Sequence, residues 1–490
     1  MRSLYDADTV RTAEEPLLAS LPDGTLMQRA ATALARRCAQ LLGATYGSRV
    51  VLLVGSGNNG GDALHAGAAL ARRGARVDAL LLSESVHEGG LHAFDAAGGR
   101  RRPAGDDADR LLVERADLVV DGMLGIGAGG PLRPAYARLA RLTWDTAAVV
   151  VAVDVPTGVD ASTGAADPDA VRADVTVTFG AAKVGLLVSP GAECAGVIDV
   201  VDIGLTLPPS QLTALDAADV AALVPPVGAE TDKYRRGVLA VVAGSDRYTG
   251  AAVMAVGGAL ATGVGMVRFL GAEHPGELVR QAWPEAVVVV AEPGDTAAVR
   301  DLGRVQAWVV GSGLGTDAAA ASTVRAVLEM PEPVLLDADA LTVVAEHPDW
   351  VRDRPAPTLL TPHAGEFGRL RAMERSEVEA HRLRHVRDAA RNLEATVLLK
   401  GSSTLVADAG GQVRVNTAQT PYLGTAGSGD VLSGICGALL ASGLSPLDAG
   451  SAGAFLHGLA GLEAAGDPPT AITAMDVVRR LPDALRAVRG

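Results

Sequence analysis

Short apolar runs that end in Gly or Asp, each followed by an Ala-rich stretch of helical periodicity, recur along most of this chain. In the first part the pattern predicts a helix over Leu26–Leu42, a strand over Arg49–Val54 and a helix over Gly61–Arg73. Further strands are expected at Val77–Leu82, Leu118–Asp121, Ala147–Val153 and Val175–Phe179. Continuous apolar strands of this kind are buried on both faces. They argue for an α/β fold with a mostly parallel sheet and ligands at the carboxyl ends of its strands. The polar, Gly-rich segment His87–Asp109 includes a surface loop, with a helical option over Gly89–Ala97.

The pattern pauses at LTLPPSQ and LVPPVGAETDK, whose two Pro-Pro pairs disfavour a continuous helix. A connector over residues 206–228 therefore separates two expected domains, 1–212 and 222–490. Beyond it, strands are expected at Val238–Ala243, Val264–Leu270, Ala286–Val290, Ala307–Val310, Pro333–Asp337, Thr358–Thr361 and Ala395–Leu399. Helices are expected over Ala251–Thr262 and after Gly429, and a hairpin joins Thr404–Ala407 to Gln412–Val415.

Composition narrows the function. A 48% hydrophobic content with 20% charged residues describes a soluble globular protein with substantial cores. The net charge of −14 and the lack of a dense basic tract exclude nucleic acid as a natural partner. The patch Arg100–Arg102, followed by Asp106, Asp107 and Asp109, reads as loop surface. Cys38, Cys194 and Cys436 make no CxxC and no disulfide framework, as expected of buried thiols in a reducing compartment. The acidic amino-terminal stretch lacks an apolar signal core, and apolar runs such as Ala147–Val153 are too short to span a bilayer. A cytoplasmic location with no membrane partner is the expectation. The residues leave the oligomeric state open, a homo-oligomer included.

Only three lysines occur among the 43 basic residues, and Lys183, Lys233 and Lys400 all sit in Gly-rich or acidic segments. Such positions suit a compact point charge better than a planar guanidinium. Asn58 and Asn59, two of only four asparagines, lie in GSGNNGGD after the strand VVLLV. There, glycine amides and a helix amino terminus suit an anion. DGMLGIGAGGP (Asp121–Pro131) and DVPTGVD (Asp154–Asp160) also begin at strand ends, so Asn59, Asp121 and Asp154 can converge. Their hard oxygen donors suit an alkali or alkaline-earth cation, whereas Asp154 as a turn cap and Asp121 as a partner for loop amides are the structural alternatives.

In sequence and order, GSGNNGGD, DGMLGIG, AVDVPTGVD and FGAAKVG resemble the NAD(P)H-hydrate epimerase family known for its YjeF amino-terminal domain. The resemblance implies a Rossmann-like three-layer domain that interconverts the R and S epimers of hydrated NADH and NADPH (NADHX and NADPHX) and binds potassium. It implies K+ at Asn59, Asp121 and Thr157. Substrate contacts are implied at Asn58, Asn59, Gly60, Gly61 and Asp62, along the loop Gly125, Ile126, Gly127, Ala128, Gly129, Gly130 and Pro131, and at Asp154. Asp154 is the first choice for proton handling. Thr157 stands where the family often has Ser and keeps the hydroxyl.

The strongest local signal in the second part is GTAGSGDVLSG, Gly424–Gly434, a Gly/Ser turn feeding an apolar helix. Its amides can receive an anion, and Asp430 on the first turn can take a proton from an attacking hydroxyl. The alternative is a simple helix cap. DKYRRG, YTGAAV, GSGLG, LLDADAL, LTPHAGEF, LLKGSST and GTAGSGD occur in the order of the ribokinase-like ADP- or ATP-dependent NAD(P)H-hydrate dehydratases. The resemblance implies a second three-layer domain that dehydrates the S hydrate with nucleotide and Mg2+, ADP favoured and ATP allowed. Asp430 is then the catalytic base. Ala251, Gly313, His363 and Asp430 contact substrate, and Lys400, Gly401, Ser402, Ser403, Thr404 and Gly429 hold the nucleotide. The stretch TAQTPYL departs from the family's Gly-Pro-rich form. A small-molecule kinase is the closest competing enzyme class, and TPHAGEF and the whole first domain argue against it. A non-catalytic nucleotide-binding scaffold has no need of Asp62, Asp121, Asp154, His363, Lys400 and Asp430 together.

Overall fold

The computed structural model describes residues 1–490 apart from Asp106, Val227, Ala229 and Thr231, so the acidic patch at Asp106 and part of the connector lie outside the described residues. It divides the chain into two compact α/β units, Ser3–Ser210 and Met1–Arg2 with Gln211–Gly490.

The first unit is built on an entirely parallel seven-stranded sheet. Its spatial order is Arg100–Pro103, Arg76–Leu81, Arg49–Val54, Leu118–Gly122, Val149–Val153, Val175–Phe179, Val197–Val201. Chain progression reverses between Arg49–Val54 and Leu118–Gly122, a Rossmann-like switch point beside which ligands bind. Leu52, Leu53 and Val54 have no exposed surface because helices cover both faces. One of these, Thr25–Leu42, presents the buried stripe Ala30, Leu34, Ala35 and Cys38.

Three features of this unit depart from the sequence pattern. The helix at the GSGNNGGD motif begins at Asn58, not Gly61, so both asparagines sit in its first turn. Ala7–Ser20 is a helix despite its charge and Pro16, capped by Asp6, which accepts from Thr9 N at 2.7 Å. The patch read as loop surface is an edge strand: Arg100–Pro103 pairs with Arg76–Leu81. Edge strands tolerate charge, and Arg102 lies 3.8 Å from the buried Asp78 carboxylate. Asp109 is not a solvated acid either; it is fully buried against Arg138 and accepts from Gly105 N at 2.8 Å.

The second unit carries an eleven-stranded mixed sheet. Its parallel part runs Thr396–Leu399, Thr358–Leu360, Val334–Leu336, Ala307–Val310, Val238–Val242, Met266–Gly271, Val287–Val290. Chain progression reverses between Ala307–Val310 and Val238–Val242. The expected hairpin is present as antiparallel Leu405–Ala407 and Val413–Val415. The segment read as a connector contributes a strand, Leu212–Ala214, parallel to Val413–Val415, and a helix, Ala217–Leu223, closed by a reciprocal Asp216–Asp219 capping box. The helix Ser428–Ala441 packs so tightly on Thr249–Thr262 that a Cβ on Gly434 would stand 2.1 Å from the Ala255 carbonyl oxygen. Any larger residue there displaces the helix that carries Asp430.

Candidate active sites

In the first unit, a cavity of about 930 Å³ opens at the carboxyl edge of the sheet. Asn58, Asn59, Asp62, Gly125, Ile126, Gly127, Ala128 and Asp154 line it, as expected of a shared site. Gly60 and Gly61 are buried within the helix, whereas Gly129, Gly130 and Pro131 are exposed; none of these five forms its wall.

Asp154 is held with φ at +67°, a left-handed conformation that Asp tolerates better than most residues and that often marks a functional site. Its Oδ1 accepts from Lys183 Nζ at 2.6 Å, Thr178 Oγ1 at 3.0 Å and Phe179 N at 3.2 Å. Oδ2 takes none of these bonds. Lys183, 1% exposed, also donates to the Phe179 carbonyl at 2.6 Å. It is therefore committed to orienting Asp154.

Asp121 is fully buried and bonded on both oxygens. Oδ1 accepts from the Thr157 hydroxyl at 2.7 Å and Met123 N at 3.2 Å, and Oδ2 from Thr157 N at 2.8 Å. Burial pushes its pKa up to about 6, against the lowering effect of the Thr157 bonds. The Thr157 hydroxyl in turn accepts from Leu124 N at 3.0 Å, and Asn59 Nδ2 donates to the Leu124 carbonyl at 3.0 Å. Asn59, Asp121 and Thr157 are thus one hydrogen-bonded unit around the Asp121–Gly125 turn. Among the described residues no cationic side chain pairs with the Asp121 carboxylate. A buried carboxylate next to a hydroxyl and an amide fits a monovalent cation.

Sequence reasoning missed Arg11 and Glu14, which reach the cavity from the unexpected helix Ala7–Ser20. Arg11 donates to the Ile126 carbonyl at 3.0 Å. Burial, then repulsion from Asp154, raises the Glu14 pKa. Only the helical spacing of TVRTAEE carried any signal for them.

In the second unit the GSGD helix starts on Gly427 with φ at +85°; Ser428 N turns back to the Thr425 carbonyl at 3.3 Å, which leaves the first-turn amides of Gly429 and Asp430 free. Lys400 ends its strand beside them: a Cβ on Gly429 would lie 3.3 Å from its Nζ. Lys400 donates to Asp337 Oδ1 at 2.8 Å and lies 3.8 Å from Glu366. Burial opposes the ammonium, but Asp337 and Glu366 outweigh it and hold the Lys400 pKa above its ordinary value. Asp337 also accepts from Thr361 Oγ1 at 2.9 Å and Ser433 Oγ at 2.7 Å. Asp430 is pushed up to about 7, first by burial and then by Asp337, with Ser312 and Lys400 pulling the other way. That suits a base working near neutral pH.

The other expected residues fall in three groups. Ala251 and Gly313 are adjacent, a Cβ on Gly313 meeting the Ala251 methyl at 3.1 Å. His363 caps the helix Ala364–Arg371, its Nδ1 accepting from Gly365 N at 3.0 Å, while Glu366 returns a bond to His363 N at 2.8 Å. Its ring stays half-exposed beside the Lys400 cluster. Gly401 and Ser402 are exposed, whereas Ser403 and Thr404 are buried. Arg382, absent from the sequence reading, staples this loop through the carbonyls of Lys400 at 2.7 Å and Ser403 at 3.3 Å. Just before the unusual TAQTPYL stretch, Asn416 is structural, donating to the Ala418 and Ala454 carbonyls.

Comparison with known proteins accords with both sites. The model of the YjeF-related protein N-terminus matches residues 23–185, and that of NAD(P)H-hydrate dehydratase matches 239–483. The bifunctional NAD(P)H-hydrate repair enzyme of Mycobacterium tuberculosis is 49% identical over 453 residues, covering 91% of this chain and 90% of its own length. The structure of the ADP/ATP-dependent NAD(P)H-hydrate dehydratase of Bacillus subtilis, co-crystallized with ATP/Mg2+, has a TM-score of 0.52 at 27% identity. It covers 56% of this chain and 98% of its own. A ribokinase-like superfamily protein of Enterococcus faecalis, 22% identical with a TM-score of 0.52 and covering 58% of this chain and 99% of its own, shares the fold of the second unit. With both family models matched in order and the identity sustained along nearly its whole length, the chain belongs to the family of bifunctional NAD(P)H-hydrate repair enzymes.

Proposed function

We propose that the first unit interconverts the R and S epimers of hydrated NADH and NADPH, and that the second dehydrates the S epimer with ADP or ATP and Mg2+. The observation that carries this reading is that one chain holds two separate carboxylate–lysine clusters, each at the carboxyl edge of its own sheet. In the first, Asp154 handles the proton at the hydrated ring carbon, with Lys183 fixing its orientation. Asn59, Asp121 and Thr157 would hold K+, whose charge offsets that of the buried carboxylate. In the second, the free amides of Gly429 and Asp430 and the Lys400 ammonium receive the nucleotide phosphates. Asp430 takes the proton of the ring hydroxyl as that oxygen attacks phosphorus. The poor leaving group becomes phosphate, and the ring nitrogen assists its departure. Mg2+ supplies further neutralisation of the polyphosphate. Substrates of this kind belong to the cytoplasmic pool of reduced nicotinamides, and there we place the protein.

The two activities belong to separate units, so fragments 3–210 and 211–490 should each retain one. The expected result is R–S exchange without nucleotide by the first fragment, and nucleotide-dependent loss of the S hydrate alone by the second. Two folded fragments lacking these separate activities contradict the assignment.

A further inference from the structure

Asp62, on the helix Asn58–Arg72, stands out among the groups lining the first cavity. It is only 8% exposed, and among the described residues no donor reaches its Oδ1. Nor does a cation pair with it: Lys183 is bound to Asp154, and Arg11 to Asp8 and the Ile126 carbonyl. His87 spends Nδ1 on Gly90 N. A buried carboxyl with neither donor nor counter-ion is stable in its neutral, proton-bearing form. Burial, then the charges of Asp154 and Glu14, raise its pKa well above the usual carboxyl value. Asp154 differs, with three donors including an ammonium gathered on one oxygen. One cavity thus presents a carboxyl without donors and a carboxyl held by three.

We propose that Asp62 is the proton donor of the epimerisation and Asp154 its basic partner, acting on opposite faces of the hydrated ring carbon. The proposal rests on the epimerase reading of this unit. Asp62 gives its proton to the ring hydroxyl, the carbon–oxygen bond breaks, and its electron pair leaves with oxygen as water. The lone pair of the ring nitrogen forms a carbon–nitrogen double bond. Water adds at the other face, the double-bond pair returns to nitrogen, and the proton released goes to Asp154. One water leaves and one enters, with no change of oxidation state, and the reverse epimerisation exchanges the two roles. The cationic ring of the intermediate suits a wall that carries Glu14, Glu15 and Asp23 beside these two acids, against the single cation Arg11.

The test uses the full-length protein and its Asp62→Asn and Asp62→Glu variants, assayed for R–S exchange without nucleotide in 18O-labelled water. Asp62→Asn should lower kcat for exchange by about 10²- to 10⁴-fold with little change in KM, and Asp62→Glu should recover part of the loss. Wild-type inversion should place solvent oxygen on the ring carbon, above the exchange seen without enzyme. Dehydration of S hydrate by Asp62→Asn should match wild type, which shows that the chain is folded. Exchange by Asp62→Asn within about tenfold of wild type, a loss confined to KM, or inversion that retains the original oxygen overturns the proposal. Wild-type protein that dehydrates S hydrate but exchanges nothing overturns the epimerase reading itself, and the proposal with it.

Discussion

Asp430→Asn should abolish dehydration while leaving R–S exchange near the wild-type rate. Asn keeps the size of the side chain on the first turn of Ser428–Ala441, so the helix start and its free amides persist. Lys400 remains bound to Asp337, so nucleotide affinity should change far less than rate. What is lost is the base, typically about 10²- to 10⁴-fold in rate. The wild-type pH profile carries the same signature. Burial and Asp337 hold the Asp430 pKa at about 7, so kcat/KM for dehydration should rise with pH below about 7 and level off above it. Dehydration by Asp430→Asn near the wild-type rate removes its assigned role, and an equal loss in both activities points to structural damage.

Asp154→Asn should remove epimerisation and also destabilise the first unit. Asn suits φ at +67° as Asp does, and its carbonyl can still accept from Thr178 and Phe179 N. Lys183, however, is left fully buried with only neutral acceptors, the Asn and Phe179 carbonyls, and no counter-charge. Removing one partner of a buried ion pair costs about 3–5 kcal/mol, which denaturant unfolding of fragment 3–210 can measure. Adding Lys183→Met takes the unpaired charge away, so the double variant should regain most of that stability but no exchange activity. Recovery of activity with stability shows that Asp154 only shapes the site. Unchanged stability in the single variant contradicts the weight given to the pair.

The sequence pattern located the interior strands closely: Arg49–Val54, Val175–Phe179 and Ala307–Val310 have the bounds expected from it. Buried on both faces, they must be continuously apolar. The rims were harder to read. Arg100–Pro103 has one sheet neighbour and keeps its arginines in solvent, while the Pro-Pro pairs around Leu212–Ala214 and Ala217–Leu223 hid two elements that lie between them. The site residues were legible where strand ends carry Asp or Lys, as at Asp121, Asp154 and Lys400. Their partners were not, because Lys183 reaches Asp154, and Lys400 reaches Asp337, only through the fold. Glu14 lies on a helix whose charge masks its apolar face.

The most direct test of the whole account is recovery of reduced-nicotinamide absorbance from an equilibrated mixture of R and S hydrates. The full-length protein, with ADP or ATP and Mg2+, should return all of the mixture to the reduced cofactor under conditions where spontaneous epimerisation is negligible. Recovery that stops at the S fraction, with the R hydrate left unchanged, contradicts the claim that one chain both epimerises and dehydrates.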